Sequence, residues 1–168
     1  GNERVLAARL ADAKFFFDED RKIRLEDRVK KLSGVTFHQK LGTMAQKVER
    51  VSQLAVRIAE TQQDHRFVEH CRRAAQLSKA DLLTGIVGEF PALQGVMGGH
   101  YASHDGEPET VSQAIRDHYL PHAMEGALPQ TLGGKILSLA DRLDTIVGFF
   151  SVGMIPTGSE DPFALRRH

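Results

Sequence analysis

The sequence predicts an all-α fold for its 168 residues. Three observations predict it. Apolar residues recur at the spacing of one helix face through most of the chain. Runs that alternate with period two, the mark of half-buried strands, are nearly absent. Capping residues open several of the apolar runs, and glycines or prolines close them.

The elements follow in order. Residues 3–17 place Leu6, Leu10, Ala13 and Phe17 on one face, with Asn2 as a cap ahead of them. The stretch "RLEDRVKKLSG" reads as a short helix, with acids early, lysines late and Gly34 past its end. Thr43 and Gln46 have the spacing of a capping box. The helix they open carries Met44, Val48, Val51, Ala55 and Ile58 at helical intervals. A further helix is expected from about Arg66 to Val87, and Pro91 suits the first turn of the next. "GGHYASHDGEPE" is rich in glycine and small polar residues and reads as a loop. Pro108 opens a helix that ends before Pro121. Thr131 caps the last long helix, which ends near Gly153. Asp161-Pro162-Phe163 has the pattern of another helix start, and with little chain after it both ends are expected to be cut from a longer polypeptide.

Composition is that of one ordinary globular domain spanning 1–168, with no internal repeat. No apolar run is long enough to span a bilayer and no signal peptide is recognisable, so no membrane role is expected. Cys71 is the only cysteine, which excludes an internal disulfide framework and suits the cytoplasm. As a small residue among helix formers, it is expected in the core. Formal net charge is zero, yet residues 1–80 hold 17 basic and 11 acidic groups while residues 81–130 hold 1 and 7. A basic first half suits a polyanion or, as readily, solvated helix faces. No phosphate-cradling glycine loop of the P-loop or dinucleotide type is present.

The most informative stretch is "ILSLADRLDTIVGFF", residues 136–150. At about 100° per residue, Ile136, Leu139, Ala140, Leu143, Ile146, Val147 and Phe150 share one side. Asp141 points the opposite way, among Leu137, Gly148 and Val152. A helix apolar nearly all round is expected to be central, so Asp141 should face a second packed layer or a pocket. There a carboxylate needs a cation, a metal or several donors. Arg142 and Asp144 fall on the flanks and read as partly exposed.

"LADRLDTIVG" resembles the last conserved helix of the HD-domain phosphohydrolases. That superfamily is all-helical and binds a divalent metal through a His, a His-Asp pair and a late Asp, the position that Asp141 matches. "KVERVSQLA" resembles its first helix, with Lys47 where a ligand histidine would stand. "AAQLSKADLL" resembles the helix of the His-Asp pair, but holds Ser78-Lys79, with Asp81 shortly after. Lysine is cationic and only donates. One reading therefore has Lys47 or Lys79 replacing the metal by pairing with Asp141. The other has both lysines solvated and Asp141 held by backbone donors. His104-Asp105, in the expected loop, reads as a decoy. His100 and His104, four apart, could take a metal only if their segment were helical; His38 precedes the capped helix.

Five segments, among them "SKADLLTGIVGEFPALQGVMGGHYA" and "VGMIPTGSEDPFALRR", are similar to the beta-subunit family of the bacterial heterotetrameric glycyl-tRNA synthetases. That family carries a degenerate HD-like domain within a longer chain. The resemblance implies an HD-like helical bundle with no catalytic site. Lys47, Lys79, Asp81 and Asp141 would be its remnant, and no cofactor would bind here. ATP and glycine would be activated on the alpha subunit, with glycine tRNA and the alpha subunit as partners. The best RNA-facing candidates are Arg21, Lys22, Arg24, Arg28, Lys30 and Lys31. The alternatives are a metal-dependent HD phosphohydrolase using His38, His100, His104, Asp105 or Asp141, and a structural spacer without a ligand.

Overall fold

The computed structural model describes residues 1–157, 161 and 165. Eight α-helices and one two-stranded ribbon are formed among them, so the fold is an all-α bundle. The predicted cap at Asp161 to Arg167 lies outside the described residues, apart from a bond from the Leu165 N–H to Asp161 Oδ1 at 2.7 Å.

The first helix, α1, runs Asn2–Asp20 with Gly1 at its cap position, so Asn2 is inside the helix rather than capping it. Its predicted face is only half used. Ala13 and Phe17 pack on the core with Phe16, while Leu6 and Leu10 stand 61% and 62% exposed where the helix runs past the body. The end of α1 is pinned by Asp20, which accepts from the Gly85 and Ile86 N–H groups and from the Tyr101 hydroxyl at 2.7–3.0 Å. The segment expected as one short helix is divided into α2 (Leu25–Val29) and a 3-10 turn at Leu32–Gly34.

Next comes an element without sequence signal, the antiparallel ribbon β1 (Thr36–His38) and β2 (Gly42–Thr43). Gly42 has φ +88°, and a Cβ there would collide with the Gln46 side chain. Gln46 closes the predicted capping box with Thr43 at the start of α3 (Met44–Ala59). The run expected as one helix from Arg66 to Val87 is broken. α4 (His65–Leu77) is capped by Asp64, a 3-10 turn covers Ala80–Leu83, and Thr84 caps a separate α5 (Gly85–Glu89). The break matters because it turns Lys79 into the interior.

Pro91 starts a 3-10 turn, and the first part of the expected glycine-rich loop, Gly98–His104, belongs instead to the helix α6 (Val96–His104), while residues 105–108 form the connection to the next helix. The correction has a packing cause. A Cβ at Gly99 would stand 2.6 Å from Arg116 Cβ and 2.8 Å from the Ser112 carbonyl, so the glycine lets α6 lie directly on α7 (Glu109–Asp117). The last helix, α8 (Leu132–Ser151), is capped by Thr131 as expected.

The core lies where α3, α4, α7 and α8 meet, with α6 stacked on α7. Small residues dominate these contacts: Ala55, Ala74, Ala75, Ala114 and Ala140 are at most 1% exposed. Small side chains set short interaxial distances. Cys71 is buried in this core, and burial pushes its thiol up to about 11, which keeps it protonated and inert.

Candidate functional site

Helix α8 turns Asp141 inward, as its apolar surroundings in sequence predict, and leaves part of its apolar face outside. Its buried side carries Ile136, Leu137 and Ala140 but also Asp141, Asp144 and Thr145. Leu139, Leu143, Val147 and Phe150 are 38–63% exposed. Packing against α3 and α4 supplies the reason. Those helices bring two ammonium groups that outweigh the desolvation of the aspartates.

Lys79, just past the end of α4, donates to Asp141 Oδ2 at 3.0 Å. Lys47, on the first turn of α3, lies 3.4 Å from Asp141 Oδ1, an ion-pair contact rather than a hydrogen bond. Its Nζ donates to Asp144 Oδ2 and to Thr145 Oγ1, both at 2.9 Å. Thr145 in turn donates to the Asp141 carbonyl at 3.0 Å. Each ammonium also faces an aromatic ring, Lys47 over Phe37 at 4.3 Å and Lys79 over Tyr119 at 4.1 Å. Both lysines thus converge on Asp141. All four charged residues are buried. Two cations against two anions leave this cluster neutral, which a group of buried charges requires.

Two members carried no useful sequence signal. Asp144 reads as a flank residue but is 6% exposed, and Arg50 covers it from the rim with Nε to Oδ1 at 2.7 Å. His118 reads as a polar-face residue but is 1% exposed and 3.1 Å from Lys79 Nζ through Nε2. Its Nδ1 lies 2.6 Å from the Ile115 carbonyl. A carbonyl only accepts, so Nδ1 carries the proton and Nε2 accepts from Lys79. Burial, with the Lys79 charge beside it, lowers the His118 pKa to about 3. The imidazole is therefore neutral and its free lone pair is occupied.

The electrostatics fix the protonation states of Asp141, Lys79 and His118. Burial alone would raise the Asp141 pKa, but Lys79 and Lys47 pull it well below the usual carboxylate range. Burial alone would lower that of Lys79, but Asp141 and the Tyr119 side chain hold it above the ordinary lysine value. A lysine kept protonated is neither nucleophile nor base, and a histidine whose Nε2 accepts from an ammonium has no lone pair for substrate. The cluster is chemically quiet.

The other predicted residues lie elsewhere. Asp81 does not join the cluster. Its Oδ2 accepts from the Gly95 and Gly98 N–H groups at 2.6 and 3.1 Å, holding the start of α6, and burial raises its pKa. His38 sits on the ribbon with its ring 5.2 Å from Phe149, its Nδ1 accepting from the Lys40 N–H. His100 and His104 belong to a helix after all, but both are exposed, and Asp105 accepts from the Leu25 N–H at 2.8 Å. No group of three or more His, Cys, Asp or Glu side chains placed to hold a metal is found among the described residues. The ligand set of the phosphohydrolase reading is therefore not assembled: α6 holds its histidines away from α8.

Of the basic run, Arg28 is structural. It donates to the Leu83 and Asp20 carbonyls and is nearly buried. Arg21, Lys22, Arg24 and Lys30 are exposed and paired with Asp18, Glu19, Glu26 and Asp27. Lys31 is exposed. Phe15 of the phenylalanine run is 60% exposed. No helix among the described residues is long and apolar enough to cross a membrane.

Comparison with known proteins places this geometry in a family. A family profile described as Glycyl-tRNA synthetase beta subunit matches residues 1–168. The glycine–tRNA ligase beta subunit of Citrifermentans bemidjiense is 56% identical over 167 residues, 99% of this chain and 24% of the relative. That of Dechloromonas aromatica is 53% identical over 168 residues, 100% of this chain and 24% of the relative. That of Bacillus subtilis is 49% identical over 168 residues, 99% and 25%. The chain spans about a quarter of the length of these curated relatives.

Proposed function

The chain belongs to the glycyl-tRNA synthetase beta subunit family, and from that premise we propose that it forms a non-catalytic, HD-like module of a glycine–tRNA ligase. It works in the cytoplasm within an assembly of beta and alpha subunits. It contributes to tRNA binding or to subunit architecture, while ATP and glycine are handled by the alpha subunit. The observation that carries this reading is the pair of lysine ammoniums on Asp141. They occupy the places of a His and of the His-Asp pair that a hydrolytic HD site needs. A divalent ion would have to displace two buried cations, Lys79 losing its carboxylate partner and Lys47 one of its two.

The RNA-facing surface on this reading is the exposed basic run of α2 and the turn beside it, with Lys30 and Lys31 nearest to free. Lysines on phosphates give affinity that falls with salt, at about 0.9 in log–log slope per contact. The test is Lys30→Glu with Lys31→Glu in the complete alpha–beta enzyme. Glycine-dependent ATP–pyrophosphate exchange is expected to be unchanged. Affinity for tRNA is expected to fall, with its salt slope reduced by about 1 to 2. Unchanged tRNA affinity and salt slope would remove the RNA-facing assignment and leave an architectural role.

A further inference from the structure

The outward side of α8 carries an apolar stripe that no described residue covers. Leu139, Leu143, Val147 and Phe150 follow each other at intervals of four, four and three, so they form one ridge along the outer side of the helix. Their exposures are 48%, 38%, 63% and 46%. Isolated exposed leucines are ordinary, but a contiguous ridge marks a surface that something covers.

Two residues of the ridge, Leu143 and Val147, stand in one wall of a groove of about 1,100 Å³ whose other wall is α3. Leu41 of the ribbon turn and Leu54 of α3 extend the apolar lining. From Gln46 to Arg57 the α3 wall is about 16 Å long, or three turns of helix at 1.5 Å per residue. Its rim is basic: Lys40, Arg50 and Arg57 stand against Glu49, and Asp144 at the floor is already neutralised by Lys47 and Arg50. A groove with apolar side chains from both walls and a cationic edge fits an amphipathic helix with acids on one flank.

We propose that this groove receives a helix of about three turns from the remainder of the same beta polypeptide. The helix places apolar side chains at i, i+3 or i+4, and i+7 over Leu143 and Val147, and acidic ones toward Arg50 and Arg57. Two observations select a segment of the same chain over a separate partner. The relatives are about four times as long as these residues, since this chain covers 24% of them, so ample polypeptide lies outside. The groove is lined by 14 residues, fewer than the roughly 20–30 a side of a stable interface between separate proteins. A tethered helix works at an effective concentration in the millimolar range and needs less contact. The inference rests on family membership alone and stands whether or not the module touches tRNA.

The experiment uses the full-length beta subunit, purified without its alpha partner. Val147 is replaced by the photo-crosslinking residue p-benzoylphenylalanine, and the irradiated protein is digested and analysed by mass spectrometry. Expected is a crosslink within one polypeptide to a peptide outside residues 1–168, with helical apolar spacing and a surplus of Asp and Glu. In a second measurement, the thiol introduced by Val147→Cys in the same subunit is expected to react with a bulky maleimide at least tenfold more slowly than in urea. Four results would overturn the proposal: a dimeric product growing with protein concentration, a crosslink that needs the alpha subunit, a crosslink to added tRNA, or no crosslink together with an unprotected thiol in the Val147→Cys variant.

Discussion

Replacing Asp141 by Asn is the sharpest perturbation of the interior cluster. The substitution keeps the shape and removes one charge. Lys47 keeps Asp144 at 2.9 Å, so the charge left without its ion-pair partner is Lys79, which retains the neutral His118 and the Tyr119 side chain beside it. Breaking a buried ion pair from one side costs about 3–5 kcal/mol, which for a chain of this size lowers the melting temperature by on the order of 10 °C. Urea unfolding followed by circular dichroism measures it. The double change Asp141→Leu with Lys79→Met removes both charges and is expected to return to within about 1–2 kcal/mol of the parent. The pH dependence gives an independent sign. In the parent, the raised Lys79 pKa makes its contribution complete below about pH 10 and lost above it. In Asp141→Asn the same lysine falls below its unfolded value. The unfolded chain then binds more protons, and stability rises as pH is taken from 8 toward 10. A cost under about 1 kcal/mol, or a variant with no rise, would refute the claim that Asp141 is the counter-charge holding Lys79 inside.

Three further expectations come from the same geometry. Because His118 is held at about 3 while the unfolded side chain titrates near 6.5, the unfolded state binds more protons between these values. Stability should therefore fall on acidification below about pH 6.5, by up to about 1.4 kcal/mol per pH unit, and His118→Gln should flatten the slope in urea titrations at pH 5–7. Gly99→Ala should destabilise by about 1–3 kcal/mol in thermal unfolding, because its Cβ would stand 2.8 Å from the Ser112 carbonyl. The same change at Gly88, where a Cβ meets nothing within 4 Å, should not. Finally, Lys47→His, Ser78→His and Lys79→Asp together rebuild a metal-type donor set around Asp141. Elemental analysis and calorimetry should find a divalent ion bound by the triple variant, with thermal stability rising on adding manganese. A triple variant that folds and takes up no ion would sink the reading of this cluster as an HD remnant.

Much of the fold was legible in local sequence. The Thr43–Gln46 capping box, the Thr131 cap and the helix starts near Pro91 and Pro108 involve residues within one turn of each other, so short-range chemistry decides them. The exceptions are also physical. "GGHYASH" has the composition of a loop yet lies in the helix α6, because Gly99 answers the close approach of α7, a neighbour that a local window does not contain. The run through Ser78-Lys79 keeps helical periodicity, but α4 ends at Leu77 and Thr84 caps a new helix after a 3-10 turn.

The candidate site divides the same way. That a carboxylate at 141 sits where an apolar helix cannot tolerate a lone charge follows from its neighbours in sequence, as does the need for a cation. Which cation was open, because the partners lie far off along the chain: Lys79 is 62 residues away, and Lys47 is 97 from Asp144. Periodicity also could not orient α8. Both its sides are apolar enough to be buried, so the choice between them fell to the ammonium groups delivered by α3 and α4. Electrostatic pairing across the bundle outweighed the hydrophobic gain of burying Leu143 and Val147. Sequence by itself determined the helices, their caps and the presence of interior charge. The tertiary structure alone decided which face turned inward, because that depends on what other helices bring to meet it.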